Sequence, residues 1–134
     1  MHTDEYRRAP SGQPTVLVVE DDELIRALLE ELVATTGARV VSAADGLQAK
    51  AAVKAHPDID LVIVDLFMPV MDGSKLIAWL NAHRPQLPIV VISALREEEI
   101  RKVLGDLKFS AMIHKPLTQQ ELDRLLRMLT ALHD

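Results

Sequence analysis

Cysteine is absent from the sequence, which removes a disulfide framework, a zinc–thiolate site and a cysteine nucleophile together. Aromatic residues make up only 3% of the chain. Hydrophobic residues still reach 49%, enough for a real core and too many for a chain disordered throughout. An excess of basic charge is also missing. Against 20 Asp+Glu stand 15 Lys+Arg, a formal net charge of −5. Non-specific binding to nucleic acid or to an anionic membrane needs a basic face, so neither is expected. No apolar run approaches the roughly 20 residues that cross a bilayer. The stretch from Met1 to Pro14 is polar and charged and has no signal-peptide core. A soluble cytoplasmic domain is the expectation. The length of 134 residues fits one domain.

What is present begins with a polar segment, residues 1–14, containing Asp4, Glu5, Arg7 and Arg8 and then Pro10, Ser11, Gly12 and Pro14. Prolines and a glycine this close continue neither periodic structure, so a flexible tail is expected. From Thr15 the chain alternates two kinds of segment. Short β-branched runs occur at Thr15–Val19, Arg39–Ser42, Ile59–Val64, Pro88–Ile92 and Ala111–Ile113. Longer segments with helical spacing lie between and after them. Leu24, Ile25, Leu28, Leu29, Leu32 and Val33 predict one apolar helix face, and Leu122, Leu125, Leu126 and Leu129 another. The second helix opens with Thr118-Gln119-Gln120-Glu121, a capping-box pattern.

Strands alternating with helices predict βαβ units, right-handed crossovers and a parallel sheet covered on both faces. The runs Val16–Val19, Leu61–Val64 and Ile89–Ile92 are continuously apolar and read as central strands. Arg39–Ser42 and Ser110–His114 carry polar residues and read as edges. The fold expected is therefore a flavodoxin-like, doubly wound α/β sheet of five strands, (βα)5, in the order 2-1-3-4-5. In that order a ligand site lies at the carboxyl ends of strands 1 and 3.

Residues with chemistry collect at those ends. Glu20-Asp21-Asp22 follows strand 1, Asp65 strand 3, Ser93 strand 4, and His114-Lys115-Pro116 strand 5. Three carboxylates this close cannot all stay ionised without a compensating cation, and one lysine is not enough. A hard divalent ion with oxygen ligands is the natural partner, and Mg2+ suits a few carboxylates beside a phosphate. A carboxylate can also act as a nucleophile and become an aspartyl-phosphate.

Glu20-Asp21, the run Asp65-Leu66-Phe67-Met68-Pro69-Val70-Met71-Asp72-Gly73, Ser93-Ala94 and Lys115-Pro116 together resemble the receiver domain of two-component response regulators. The resemblance covers residues 15–132 and implies the following roles. Asp65 is the phosphoacceptor. Glu20 and Asp21 hold Mg2+ with Asp65, and Phe67 lends its backbone carbonyl. Ser93 is the switch hydroxyl. Lys115 binds the phosphoryl group, and its bond to Pro116 is cis. The protein is then not an enzyme in its own right but a phosphoacceptor signalling domain. It would take its phosphoryl group from a histidine kinase or histidine phosphotransfer protein. The surface of helix 4, strand 5 and helix 5 would respond, binding a downstream protein or a second copy of the chain through Arg101, Lys102, Arg124, Arg127, Asp106, Glu121 and Asp123.

Two positions depart from the family pattern. Met112 stands where strand 5 usually carries Tyr or Phe, and Lys108-Phe109-Ser110 replaces a small Gly-Ala pair, predicting an altered approach to strand 5. Phe67 and Leu95 border the path of attacking water in receivers, and neither can orient it, so a long-lived phosphoryl form is expected. Ala94 leaves the entry side open. A different reading is a degenerate receiver that acts as a phosphorylation-independent interaction module; the intact acidic pair, Asp65, Ser93 and Lys115 speak against it. A flavin carrier would place a phosphate against Glu20-Asp21-Asp22, and an aspartate-based phosphatase would need a carboxylate where Phe67 stands. Asp22, Asp72-Gly73 and Arg96-Glu97-Glu98-Glu99 read as helix starts. Trp79 reads as packing, and the five histidines show no ligand spacing. Both a stand-alone receiver and a piece of a longer regulator or hybrid kinase fit the sequence.

Overall fold

The computed structural model describes residues 12–68 and 71–133. Most of the expected tail, together with Pro69, Val70 and Asp134, lies outside the described residues. The elements alternate as β1 (Thr15–Val19), α1 (Glu23–Thr35), β2 (Arg39–Ala43), α2 (Gly46–Ala55), β3 (Leu61–Asp65), α3 (Gly73–His83), β4 (Ile89–Ser93), α4 (Glu97–Leu104), β5 (Ala111–His114) and α5 (Gln119–Ala131). All strand pairs are parallel and the order is β2-β1-β3-β4-β5, as the polarity of the runs predicts.

Alternation along each strand divides the core in two. Val16, Val18, Ile63, Val90, Ile92 and Ile113 face α1 and α5, where they meet Leu29, Val33, Leu125 and Leu129. Leu17, Val19, Val62, Val64 and Val91 face α2, α3 and α4, where they meet Val53, Leu76, Leu80, Ile100 and Leu104. Because both faces are covered, β1, β3 and β4 are buried along their whole length, which explains their unbroken apolar sequence. Truncating one of these leucines to alanine costs about 2–5 kcal/mol, so this double core is ample to fix the sheet.

The structure changes three details of the sequence reading. β3 begins at Leu61, because Ile59 and Asp60 are held in a loop by the His56 carbonyl and the Thr15 carbonyl. β2, β3, β4 and β5 each end one residue later than expected, so Ala43, Asp65, Ser93 and His114 are their last residues. On α1 only Leu29 and Val33 are buried; Leu24 is 82% exposed and Leu28 42%. The apolar stripe is wider than the face the sheet can cover.

Candidate functional site

The site lies where the chain reverses direction across the sheet, between β1 and β3, with β5 reaching in from the side. Glu20 is fixed at both ends. Its N–H donates to the Ala43 carbonyl at 3.1 Å, continuing the β1–β2 ladder, and its carbonyl accepts from Arg26 at 3.0 Å. Its side chain is fully buried, and Oε2 accepts the Asp22 N–H at 3.1 Å. Asp22 is the N-cap of α1 and accepts the Ile25 N–H at 2.9 Å, so the third acid of the triplet starts the helix, as expected.

Asp65 ends β3 and is 4% exposed. Its Oδ1 accepts the Phe67 N–H at 3.2 Å. Asp65 is braced from behind by the start of α3. The Gly73 N–H donates to the Leu66 carbonyl at 2.8 Å, and a Cβ at position 73 would stand 2.6 Å from the Asp65 carbonyl oxygen and from Leu66 Cα. Only glycine admits so close an approach. Asp72 caps α3 through the Lys75 N–H at 3.0 Å and also accepts from Ser74 at 2.6 Å. The hydroxyl of Ser74 and that N–H hold the Asp72 carboxyl below its ordinary value.

Lys115 enters because its N–H extends the β4–β5 ladder to the Ser93 carbonyl at 2.9 Å. The Lys115–Pro116 bond is cis. Lys115 Nζ stands 3.1 Å from Glu20 Oε1 and 3.2 Å from Asp65 Oδ2. Burial works against its charge, but the carboxylates of Asp65 and Glu20 outweigh that and hold the ammonium above its ordinary pKa. Ser93 is buried on β4, and its hydroxyl accepts the Leu95 N–H at 3.1 Å.

Carboxylate oxygens of Glu20, Asp21 and Asp65 come within 4.8 Å of one another, Asp21 from the exposed side. One ammonium faces three acids. Burial, with a hydrogen bond to Asp65 next, pushes the Glu20 carboxyl up to about 7. Glu20 Oε1 is buried and has only the ion pair with Lys115, with no properly directed hydrogen bond. A cluster of hard oxygens with an orphaned acceptor is the donor set that suits a divalent cation.

The response regulator receiver domain family matches residues 16–127. The chain belongs to that family. The receiver is 36% identical over 117 residues to the Regulator of RpoS of Escherichia coli strain K12, covering 87% of this chain and 34% of that protein. The receiver thus spans well under half of the length of such curated relatives. A solved response regulator receiver protein from Pseudomonas putida is 28% identical, with a TM-score of 0.76 over 87% of this chain and 97% of that one. The chemotaxis protein CheY4 of Vibrio cholerae, at 24% identity, shares the fold with a TM-score of 0.78 over 87% and 98% of the two chains. The receiver domain is a signalling module of two-component systems rather than a catalytic enzyme. No helix among the described residues is long and apolar enough to cross a membrane.

Several residues at the rim act differently from their sequence pattern. Thr118 caps α5 through the Glu121 N–H at 3.3 Å, but the capping box is not reciprocal. The Glu121 carboxylate turns instead to the His114 N–H at 2.8 Å and to Arg124 at 3.1 Å. Arg124 in turn donates to the Met112 carbonyl at 3.2 Å. Two outward backbone groups of the edge strand β5 are thereby covered. Arg101 pairs with Glu97 at 3.0 Å and lies 5.7 Å from the centre of the Phe109 ring. These charges are therefore paired inside the receiver. Met112 is buried against the α4 side of the core, and Phe109 packs half-buried beside it. The Lys108-Phe109-Ser110 approach is tied to α3, where Asn81 both accepts from and donates to the Lys108 backbone, at 2.7 and 3.1 Å.

Proposed function

We propose that Asp65 accepts a phosphoryl group from a histidine kinase or histidine phosphotransfer protein, and that this modification switches the α4–β5–α5 surface. The observation that carries this reading is the convergence of Glu20, Asp21 and Asp65 around a lysine that reaches two of them at once. An Asp65 carboxylate oxygen attacks phosphorus, the O–P bond forms, and the P–N bond breaks with the imidazole leaving. Mg2+, held by Glu20, Asp21, Asp65 and the backbone carbonyl of Phe67, would neutralise charge on the phosphoryl oxygens. Lys115 supplies a further positive charge to them, at the position where it now holds Asp65 and Glu20. Ser93 exchanges its present contact with the Leu95 N–H for a phosphoryl oxygen.

The Ser93 and Lys115 backbones are joined across β4 and β5, so a pull on either moves the strand that carries Met112. Beside that strand lies a groove of about 620 Å3 bordered by Glu97, Arg101, Phe109, Met112 and Arg124. This surface is where a downstream protein or a second copy would read the change. The net charge of −5 supports protein partners over nucleic acid or membrane, and a cytoplasmic setting fits the donor.

The test is intact mass after incubation with Mg2+ and acetyl phosphate, on wild type and Asp65→Asn. A gain of about 80 Da, one phosphoryl group, in wild type alone supports the reading. No gain with acetyl phosphate or with phosphorylated histidine donors, and no Mg2+ binding, would replace it with a phosphorylation-independent interaction module.

A further inference from the structure

Away from the acidic pocket, on the face formed by α2 and α3, the structure holds a small cleft of about 240 Å3 lined by Val53, Lys54, Pro57, Trp79, His83 and Arg84. Its charged side chains are all basic, in a chain whose net charge is −5. Lys50 adds to them, its ammonium 5.6 Å from the centre of the Trp79 ring, with that of Lys54 at 5.9 Å. Neither lysine, nor Arg84, has a carboxylate partner among the described residues. The acids of the adjoining loop are turned elsewhere, Asp58 to Arg39 and Asp60 to the Thr15 N–H.

We infer that this cleft docks an acidic segment of a partner protein, which inserts one aliphatic or aromatic side chain between Val53, Pro57 and Trp79 and sets its carboxylates against Lys50, Lys54 and Arg84. Charge complementarity selects an acidic partner. The volume selects a single side chain, since drug-sized ligands occupy about 300–1,000 Å3. A stacked nucleobase is disfavoured because the His83 ring already takes a stacking position on the indole. The His83 ring stacks on it with centroids 4.4 Å apart and is held there by its Nδ1–H to the Trp79 carbonyl at 2.9 Å, and the Lys50 and Lys54 ammonium groups stand 5.6 and 5.9 Å from the centre of the Trp79 ring. The site is independent of Asp65, so it stands or falls separately from the phosphoacceptor reading.

Trp79 is the one tryptophan of the chain, so its emission reports on the cleft directly. The whole protein is titrated with blocked peptides lacking tryptophan, in which glutamates flank a leucine or phenylalanine, and with matched peptides flanked by lysines. The expected result is a saturable change in Trp79 emission with the acidic peptides only, weakening as salt rises. Lys54→Glu should weaken binding about tenfold, as loss of a close charge pair does, with an unchanged thermal melt. Asp65→Asn should bind as wild type. Four outcomes would overturn the proposal: no saturable change, equal binding by the lysine peptides, no effect of Lys54→Glu, or an emission change that follows self-association of the protein alone.

Discussion

Glu20→Gln should make the metal-free protein more stable at pH 8 and less stable at pH 4. Glu20 is fully buried, and burial together with Asp65 lifts its carboxyl from 4.5 to about 7 in the folded state. The folded-state value lies above the unfolded one, so the native state holds this proton more tightly. Stability conferred by the neutral form is fully present below about 4.5 and is lost as pH rises through about 7. The loss amounts to about 3 kcal/mol. Lys115 is also raised, but its contribution fades only in the alkaline range, outside this window. Glutamine removes the buried charge. Its single oxygen cannot both accept the Asp22 N–H and face Lys115, as the two carboxylate oxygens do, so about 1 kcal/mol of polar interaction is lost. The balance is a gain of about 2 kcal/mol at pH 8 and a loss of about 1 kcal/mol at pH 4. Urea unfolding followed by circular dichroism, in EDTA at both pH values, reads the difference. Added Mg2+ should then stabilise wild type at pH 8 far more than the variant, because binding to the native state alone adds stability. A variant equally destabilised at both pH values would refute the reasoning, since it would mean that Glu20 acts only through its hydrogen bonds.

Other residues give separate expectations. Asp72→Ala should cost about 1 kcal/mol through loss of the α3 cap, and the deficit should narrow in acid as the wild-type carboxylate, held low by Ser74 and the Lys75 N–H, finally protonates. Gly73→Ala should destabilise by about 1–3 kcal/mol despite the better helix propensity of alanine, because the atoms in its way are backbone of Asp65 and Leu66; a stabilised variant in the same urea assay would contradict that close approach. Arg124→Ala should cost about 1–3 kcal/mol and speed amide exchange in β5, measured by hydrogen exchange, since the Met112 carbonyl and the Glu121 carboxylate each lose a partner. The phosphorylated receiver should persist for many minutes after donor removal, followed by intact mass. Phe67 is 55% exposed and Leu95 half-buried beside the pocket, and neither offers a polar group to attacking water. Loss of phosphate within seconds would contradict this.

The division between what the sequence disclosed and what it concealed follows from how each residue is used. Central strands covered on both faces must be apolar throughout, so β1, β3 and β4 announced themselves, and with them the strand ends where Glu20, Asp65 and Ser93 stand. The buried acids Glu20 and Asp65 carry their own signal, because burial penalises a charge that folding alone does not need there. Residues that satisfy a long-range backbone group carry no such signal. Arg26 looks like a polar side chain of an amphipathic helix, yet its guanidinium holds the carbonyl of Glu20. Glu121 completes a capping pattern on paper, but the uncovered N–H of His114 on an edge strand is a stronger claim on its carboxylate than the N-terminus of its own helix. The same limit applies to Leu24, because periodicity reports how wide an apolar stripe is, whereas the neighbouring elements decide how much of it they cover. On α1 that leaves Leu24 and Leu28 in solvent, on the helix that Asp22 caps.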